Sequence, residues 1–289
     1  MLLTESGINY KRVEIPQLTR HNVCNPSIIA TEDGYECTVR GLNYDLEKSN
    51  CEYITYYGSY SVPFPDTQNY YAKLDDDLNI TYYWFLEDRH LRCSVFSLEG
   101  VEDLRLFKWK GEKYAIASAI NYPSNCANMS LMRIDGRDLK DQVFFSSPTS
   151  ATKEKNWMPF VQDDTLNFLY TPNGQMLTYD GKEMSASHFD RPNILPNWSG
   201  SSCVIEKDED YYAILHKREG NNYTHMLVGY DDTGRLIWES QEFNFEHIGI
   251  EFCAGMAFKG EDIVISYGVM DKKAVLLKMN FQEFVRLVG

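Results

Sequence analysis

Two adjacent carboxylates and an arginine stand where an apolar, strand-like segment begins. Glu102 and Asp103 are followed by Arg105 within a run that ends at Phe107. If that run enters a buried strand, each charge at its mouth needs a partner, a substrate or water. One interpretation is a local ion pair between Asp103 and Arg105 that stabilises a strand end. The other is an acid–base site, since charged groups clustered in a cleft are typical of functional sites.

The same kind of strand entrance recurs along the chain. Five segments each combine a short apolar strand, an acidic or glycine-bearing turn, and a second strand rich in aromatic and β-branched residues. These segments are 25–40, 102–119, 157–172, 200–216 and 253–268. The pattern predicts five β-hairpins.

Each predicted hairpin leads into a third strand, and the unit repeats at a spacing of about 45 to 75 residues. This repetition predicts an all-β fold: one domain over residues 1–289, a five-bladed β-propeller with four-stranded antiparallel blades around an axial pocket. The predicted blades span roughly residues 21–90, 91–150, 151–195, 196–245 and 246–289. Residues 1–20 are expected to add a strand to the last blade and close the ring. Helical periodicity is confined to residues 282–288.

In a propeller the first strand of each blade lines the channel, so residues at the mouths of these strands converge on one pocket. The strand entrances supply Asn25, Glu102, Asp103, Arg105, Lys155, Asn156, Trp157, Ser199 and Glu251, and the far ends of the second strands supply Arg40, Tyr170, His216 and Tyr267, with Asn43 and Asp271 close behind. Aromatic rings stack on sugar faces, carboxylates transfer protons, and cations hold an anionic group. The set is therefore typical of a carbohydrate-active pocket.

Several candidates also have a purely structural explanation. His216 is equally well explained as a hydrogen-bonded histidine at a strand end. Tyr267 and Trp157 are explained as core aromatic residues. Asp75 to Asp77 contain an Asp-x-Asp metal motif, but they fall where the other units have hairpin turns. We therefore expect a solvated turn there and no metal site.

Composition excludes several classes of protein. The chain has 289 residues with 43% hydrophobic residues, which is ordinary for a folded protein. A net charge of -14 argues against nucleic-acid binding, which depends on lysine and arginine contacts to phosphates. No segment is long and apolar enough to span a bilayer or to act as a signal peptide, so a cytoplasmic location is expected. Seven cysteines without a Cys-x-x-Cys pair predict reduced thiols that are mostly buried.

The motifs resemble those of glycoside hydrolase family 130, five-bladed propellers that act on β-mannosides. Gly100-Val101-Glu102-Asp103-x-Arg105 is similar to that family's Glu-Asp-Pro-Arg strand, and Lys155-Asn156-x-x-Pro159-Phe160 is similar to its Lys-Asn/Asp…Phe-Pro segment. The segment from Tyr211 to His216 resembles an apolar strand that ends in Tyr-His, and Tyr267-Gly268-x-x-Asp271 resembles Tyr-Gly-Ala-Ala-Asp. The four segments occur in the family's order across the second to fifth predicted blades.

The resemblance implies that Asp103 is the general acid of an inverting reaction, with Glu102 and Arg105 beside it. Lys155, His216 and Tyr267 would hold phosphate in a phosphorylase, and Asp271 would bind sugar hydroxyl groups. By position, substrate contacts are also expected from Asn25, Arg40, Asn43, Glu102, Arg105, Asn156, Trp157 and Glu251. No cofactor is implied, and inorganic phosphate or a sugar nucleotide would be a co-substrate. An adjacent Arg105 is expected to lower the pKa of Asp103.

The residues leave three classes of function open for a small-molecule carbohydrate substrate: an inverting hydrolase or phosphorylase, a glycosyltransferase, and a non-catalytic binding module. An inverting hydrolase would activate water with a second carboxylate, for which Glu251 or Glu154 is available, whereas a phosphorylase needs only cations to place phosphate. A glycosyltransferase would bind a sugar nucleotide or sugar phosphate in the same pocket. A non-catalytic module would bind carbohydrate only. Leu104 in place of the family's proline, and no match to its further phosphate-binding arginines near residues 121–138, leave the reaction type open.

Overall fold

The computed structural model describes residues 1–17, 21–46, 53–55, 66–91, 100–121, 126–188, 190–192 and 194–289. Its strands are β1 (Tyr10–Ile15), β2 (Asn22–Thr31), β3 (Gly34–Leu42), β4 (Tyr44–Leu46), β5 (Tyr53–Thr55), β6 (Thr67–Leu74), β7 (Ile80–Phe85), β8 (Glu102–Trp109), β9 (Glu112–Asn121), β10 (Cys126–Asp135), β11 (Asp138–Phe144), β12 (Met158–Gln162), β13 (Thr165–Leu169), β14 (Met176–Tyr179), β15 (Met184–Ser187), β16 (Trp198–Gly200), β17 (Ile205–Lys207), β18 (Asp210–Glu219), β19 (Asn222–Tyr230), β20 (Leu236–Glu239), β21 (Glu251–Lys259), β22 (Asp262–Val269) and β23 (Lys273–Asn280). Short 3₁₀ turns cover Leu3–Glu5 and Arg89–Leu91, and an α-helix, α1, covers Phe281–Val288.

These strands form five antiparallel sheets that are the blades of a propeller. Blade 1 has the order β2-β3-β6-β7, blade 2 the order β8-β9-β10-β11, and blade 3 the order β12-β13-β14-β15. In blade 4 the innermost strand is split into β16 and β17, which both pair with β18, followed by β19 and β20. Blade 5 has the order β21-β22-β23-β1, and β4 and β5 form a separate hairpin. The predicted all-β, five-bladed architecture is confirmed.

The hydrophobic core consists of layers between neighbouring blades. Tyr71 of blade 1 packs in one layer with Leu106 of blade 2, and Phe160 of blade 3 packs in another with Leu215 of blade 4. Because inner strands are covered on both faces, they are buried almost without interruption, as β3 is along its whole length. The outermost strand β7 is half-exposed. This burial explains why the inner strands are rich in apolar residues, although β3 also buries Glu36, Thr38 and Arg40.

The N-terminal strand closes the ring. β1 pairs antiparallel with β23 from Tyr10 opposite Met279 to Ile15 opposite Ala274. The fourth strand of blade 5 therefore comes from the start of the chain and its other three strands come from the end. Ile15 is buried in the layer that joins blade 5 to blade 1, together with Val23 and Leu276.

The cysteines and helices agree with the sequence where they are described. Cys24, Cys37, Cys203 and Cys253 are buried free thiols, whereas Cys51 and Cys93 lie outside the described residues. Helix α1 begins after Asn280, whose side chain accepts a hydrogen bond from the backbone N–H of Glu283. In the described part of the chain, none of the helices has the length and apolar character that crossing a membrane requires.

Ile15→Ala tests the closure of the ring. Truncating a buried isoleucine leaves a cavity and is expected to lower the free energy of unfolding by about 2–5 kcal/mol. Urea denaturation measures this change, and Lys11→Ala on the same strand, where the side chain is partly exposed, is the control. An unchanged denaturation midpoint for Ile15→Ala would show that β1 is not docked on blade 5.

Candidate functional site

A cavity of about 460 Å³ opens where the five blades meet at one mouth of the channel. Its wall is mainly polar and charged, in contrast to the apolar layers between the blades. The lining residues are Asn25, Arg40, Tyr44, Glu102, Asp103, Lys153, Lys155, Asn156, Ser199, His216, Arg218, Tyr223, Ile250, Phe252 and Asp271. The structure therefore brings Asn25, Arg40, Glu102, Asp103, Lys155, Asn156, His216 and Asp271, all named from the sequence, to one site.

Four of the polar residues in the wall share an unusual backbone conformation. Asn25, Asp103, Asn156 and Asp271 have φ angles of 43°, 55°, 67° and 52°, in the left-handed region. Asn25 and Asp103 lie at irregularities in strand register, between Cys24 and Ser27 and between Glu102 and Arg105. A β-bulge turns a side chain away from its regular direction, and Asn and Asp tolerate positive φ better than most residues. The local backbone thus places amide and carboxylate groups in the cavity wall.

Arg40 holds the two neighbouring carboxylates of blade 2. Its guanidinium is 2.8 Å from the Glu102 carboxylate and 2.8 Å from that of Asp103. Its Nε atom donates to the Thr67 hydroxyl at 3.2 Å, and Nη2, which also binds Glu102, donates to the same hydroxyl at 3.1 Å. Arg40 is only 5% exposed, so this charge-assisted network is shielded from water.

The surrounding charges keep both carboxylates ionised. Burial alone would raise the pKa of Asp103, but the charges of Arg40 and Lys155 and a hydrogen bond from Asn25 hold it at about 2. Burial likewise opposes the ionisation of Glu102, yet Arg40 and Lys155 lower its pKa. Lys155 donates to the second oxygen of Glu102 at 2.8 Å. The main cation beside Asp103 is therefore Arg40, and Arg105 is a weaker influence than the sequence suggested.

His216 lies on another part of the wall, next to two cations. Its ring stacks on Tyr223 with centroids 5.6 Å apart, and Arg218 lies over the Tyr223 ring at 5.6 Å. Burial, and then the charge of Arg105, lowers the pKa of His216 to about 3, so its imidazole is neutral at pH 7. The His216 Nδ1 atom has no hydrogen-bond partner among the described residues. A buried, unpaired ring nitrogen of this kind is available for a ligand.

Arg105 lies beneath the cavity and does not line it. Its guanidinium donates to the Ser201 carbonyl at 2.6 Å and to the Asn156 side chain at 3.0 Å. It also lies 5.6 Å from the Phe252 ring centre. Arg105 is 1% exposed, and burial lowers its pKa. Arg105 therefore acts on a ligand in the cavity through its positive charge from behind the cavity wall. Direct contact with the ligand requires a conformational change.

Trp157 and Glu251, from which substrate contacts were expected, do not line the cavity. The Trp157 ring is fully buried against Phe145, with 6.0 Å between the ring centroids, and its indole N–H donates to Glu154 at 3.0 Å. The Glu251 carboxylate accepts backbone N–H groups of residues 245–247 at 2.8 Å each. Burial raises the pKa of Glu251 to about 7. Both side chains therefore stabilise strand ends.

Asn43 and Tyr267 also lie outside the cavity wall. The Asn43 side chain accepts the backbone N–H of Asp66 at 2.7 Å. The Tyr267 ring stacks on Phe245 with centroids 4.3 Å apart, and its hydroxyl donates to Glu246 at 3.0 Å. Neither side chain reaches a ligand in the cavity without a conformational change.

Sequence reasoning missed several residues of the wall. Lys153 lies two positions before Lys155, and Arg218 lies two positions after His216, and both Lys155 and His216 were named from the sequence. Tyr223 lies opposite Arg218 in the pairing of β18 with β19. Residues two apart on a strand share a face, so the period of two would have found Arg218. Tyr44, Ile250 and Phe252 had no comparable signal.

The three consecutive aspartates form a hairpin turn, as expected. Asp75 accepts hydrogen bonds from the backbone and side chain of Asn79. Asp76 pairs with Lys259 and Asp77 pairs with Lys11, so these carboxylates tie blade 1 to blade 5. Within the described residues, no group of three or more His, Cys, Asp or Glu side chains is arranged to hold a metal ion.

A second, apolar cavity of about 220 Å³ lies further along the same innermost strands. Ile29 of β2, Phe107 of β8 and Met256 of β21 line it. Hydrogen bonds between inner strands, from Leu106 to Ser27 and from Ser201 to Cys253, separate this level from the polar mouth. The groups able to do acid–base chemistry are thus concentrated at one end of the channel.

Comparison with known proteins identifies relatives in structure alone. No protein-family model matches the sequence, and no curated protein matches it. The β-1,2-mannobiose phosphorylase of Listeria innocua superposes with a TM-score of 0.63 over 97% of this chain and 99% of that chain, at 13% sequence identity. The likeness shows a shared fold. The predicted resemblance to mannoside-active propellers is therefore confirmed at the level of fold.

Two further structures give the same result. A GH130 structure described with glycoside hydrolases that target β-1,2 mannosidic linkages in Candida mannan has a TM-score of 0.58 and 12% identity, over 91% of this chain and 85% of that chain. MPT-1, a GDP-Man-dependent mannosyltransferase from Leishmania mexicana, has a TM-score of 0.55 and 13% identity, over 94% of this chain and 89% of that chain. The fold thus carries different reactions, and the reaction of this chain has to be argued from its own cavity.

Arg40→Gln tests the electrostatic origin of the low Asp103 pKa. Loss of the guanidinium is expected to raise that pKa above 2, measured by ¹³C NMR titration of the aspartate carboxyl carbons. An ionised Asp103 with a lowered pKa stabilises the fold above about pH 4 and ceases to do so as the pH falls toward 2. The difference in the free energy of unfolding between wild type and Arg40→Gln should therefore become smaller as the pH falls from about 4 toward 2.

Arg133→Gln is the control for this titration, because Arg133 pairs with the exposed Asp141 outside the cavity. It should leave the Asp103 titration unchanged. An Asp103 that titrates at the same pH in Arg40→Gln and in wild type would exclude Arg40 as the cause.

Proposed function

We propose that the axial cavity is the active site of an inverting enzyme that cleaves or forms mannoside-type glycosidic bonds, with Asp103 as the general acid in the direction of cleavage. The observation that carries this proposal is the placement of Asp103. Its carboxylate lines the cavity, is fixed by Arg40 and Asn25 at 2.8 Å each, and stands in a wall that also presents Lys155 and His216. The likeness to mannoside phosphorylases supports the choice of sugar.

The resting charge of Asp103 constrains the mechanism. Inversion requires one group to protonate the departing oxygen while a nucleophile attacks the opposite face of the sugar. Asp103 is ionised in the free protein, so it can accept a proton from an acceptor hydroxyl in bond formation. To donate a proton in cleavage, it needs a ligand that offsets the positive charge of Arg40 and Lys155. An anionic co-substrate beside Lys155 would do this by raising the Asp103 pKa.

The cavity favours an anion over water as the attacking group. Of the three residues expected to hold phosphate, Lys155 and His216 line it and Tyr267 does not, while Lys153, Arg218 and Tyr223 add two cations and a phenol. The two carboxylates considered as bases for hydrolysis are engaged elsewhere: Glu251 binds three backbone N–H groups, and Glu154 binds Ser147 and Trp157. We therefore favour phosphorolysis, with inorganic phosphate as co-substrate and no cofactor.

Glycosyl transfer from a sugar nucleotide is the second candidate. Lys153 and Arg218 extend the positive surface beyond Lys155, and Arg218 is exposed at the rim, where a diphosphate would meet solvent. One structural neighbour is a GDP-Man-dependent mannosyltransferase. A carbohydrate-binding module without turnover is the remaining alternative, and the two experiments below distinguish the three.

Asp103→Asn should abolish most of the turnover while leaving the fold intact. The loss of a general acid typically lowers the rate by about 10²–10⁴-fold. The assay follows release of mannose 1-phosphate from β-1,2-mannobiose and phosphate. Asp141→Asn is the control, because Asp141 has a similar φ of 54° but is exposed on β11, outside the cavity. Undiminished activity of Asp103→Asn would remove Asp103 from this role.

A thermal-shift titration with phosphate, mannose 1-phosphate and GDP-mannose tests the anion site. A ligand at about 100 times its Kd stabilises the folded state by about 2.7 kcal/mol. Stabilisation by phosphate or mannose 1-phosphate that is lost in Lys155→Ala supports phosphorolysis, and stabilisation by GDP-mannose alone supports transfer. Lys108→Ala, on an exposed side chain outside the cavity, should respond like wild type. No shift with any ligand would favour a hydrolase or a binding module.

A further inference from the structure

Asp271 is a carboxyl group that the mechanism above does not use. It belongs to the turn between β22 and β23, where Met270 and Asp271 have left-handed φ angles of 54° and 52°. Asp residues in hairpin turns usually face water. Here the side chain lines the cavity that also contains Asp103, and the residue is half-buried.

The three carboxyl groups of the cavity differ in their partners. Glu102 and Asp103 are both ion-paired, with Arg40 for both and with Lys155 for Glu102, at 2.8 Å in each case. Asp271 forms no ion pair within the described residues. Its side-chain hydrogen bond is with the Tyr44 hydroxyl at 3.5 Å, at the outer limit for such a bond.

The charges that face Asp271 work against a negative charge there. Glu102 and Asp103 lie on the same cavity wall and are ionised, whereas Arg40 is already shared between them. The cations Lys153, Lys155 and Arg218 and the neutral His216 line the same cavity, and Lys272 and Lys273 follow Asp271 in the chain. The thiol of Cys24 and the hydroxyls of Tyr44 and Tyr223 also surround Asp271, and burial raises the pKa of each. Burial first, and then the two carboxylates against the pull of Arg40, raise the pKa of Asp271.

Asp103 and Asp271 line one cavity, but only Asp103 is paired with a cation, whereas Asp271 is bound by the Tyr44 hydroxyl. Two carboxyl groups in one cavity with such different surroundings indicate an acid–base pair. We propose that Asp271 is the proton store of the cavity: it holds the proton that Asp103 lacks and passes it to the Asp103 carboxylate when substrate is bound. This proposal rests on the function proposed above. It adds to that function the source of the proton for cleavage.

The step balances without any further reactant. The O–H bond of Asp271 breaks, a proton crosses a hydroxyl group or water molecule in the cavity, and an O–H bond forms on Asp103. Asp103 then gives this proton to the departing glycosidic oxygen as the C–O bond breaks. The attacking phosphate or water loses a proton when it bonds to the sugar, and that proton returns to the Asp271 carboxylate. Both carboxyl groups end in their starting states.

Kinetics of Asp271→Asn test the transfer. With β-1,2-mannobiose and phosphate, kcat should fall at least about tenfold with little change in KM. The loss should shrink from pH 7.5 to pH 4.5, since protons from solution then reach Asp103 directly. The loss of kcat in Asp271→Asn should also be at least about tenfold smaller with dinitrophenyl β-mannoside, because its leaving group needs no proton. Equal losses for both substrates together with a raised KM would show that Asp271 only binds sugar, and would overturn the proposal.

Infrared spectroscopy tests Asp271 without any need for turnover. At pH 6, about two units above the usual aspartate pKa, the wild-type minus Asp271→Asn difference spectrum should contain the carbonyl band of a protonated carboxyl group. Asp163→Asn, at an exposed turn residue with a φ of 44°, should show no such band. A missing band in the Asp271→Asn difference overturns the proposal. If the wild-type protein turns over neither β-1,2-mannobiose nor dinitrophenyl β-mannoside, the proposed function is overturned. The infrared carbonyl band then still decides whether Asp271 holds a proton.

Discussion

The site depends on one buried guanidinium. Arg40, in the second strand of blade 1, binds both acidic residues at the start of the first strand of blade 2. A buried charge without partners is very costly, so the three side chains are stable only as a set. Arg40 therefore joins two blades and at the same time fixes the charge of the catalytic candidate. Loss of Arg40 would disturb both the contact between blades 1 and 2 and the charge of Asp103. The geometry of the cavity therefore depends on the packing of the propeller.

The fold could be predicted from the sequence because each blade repeats the same local signals. The turns at Glu32-Asp33-Gly34, Lys110-Gly111-Glu112 and Lys259-Gly260-Glu261 separate apolar runs that pair in the structure as β2 with β3, β8 with β9, and β21 with β22. Sheets buried on both faces need long apolar strands, and this requirement is visible in the sequence. The split of the innermost strand of blade 4 into β16 and β17 left no such signal.

The candidate site could be predicted in part, and the errors have a common cause. Position at a strand entrance identified Asn25, Asp103 and Asn156, because the inner strands line the channel and their ends meet at its mouth. The same rule failed for Trp157 and Glu251, since a bulge or a neighbouring loop decides whether a side chain turns into the channel or into the core. The direction that each side chain takes depends on contacts between blades, and the pattern of a single sequence does not contain these contacts. Arg40 shows the reverse case: it had no motif, and its importance appears only with both of its partners in place.

The closure of blade 5 by β1 has a consequence for how the chain reaches this structure. β1 is the first of the described strands in the chain but pairs with β23, which is the last of them. Until β1 and β23 pair, β1 has no neighbouring strand and the outer edge of β23, which pairs with β22 on its inner side, stays open. Unpaired edges readily associate with other chains. Pairing of such distant segments is slow, because a long loop must be closed before the contacts form. The ring can therefore be completed only after synthesis of the final blade.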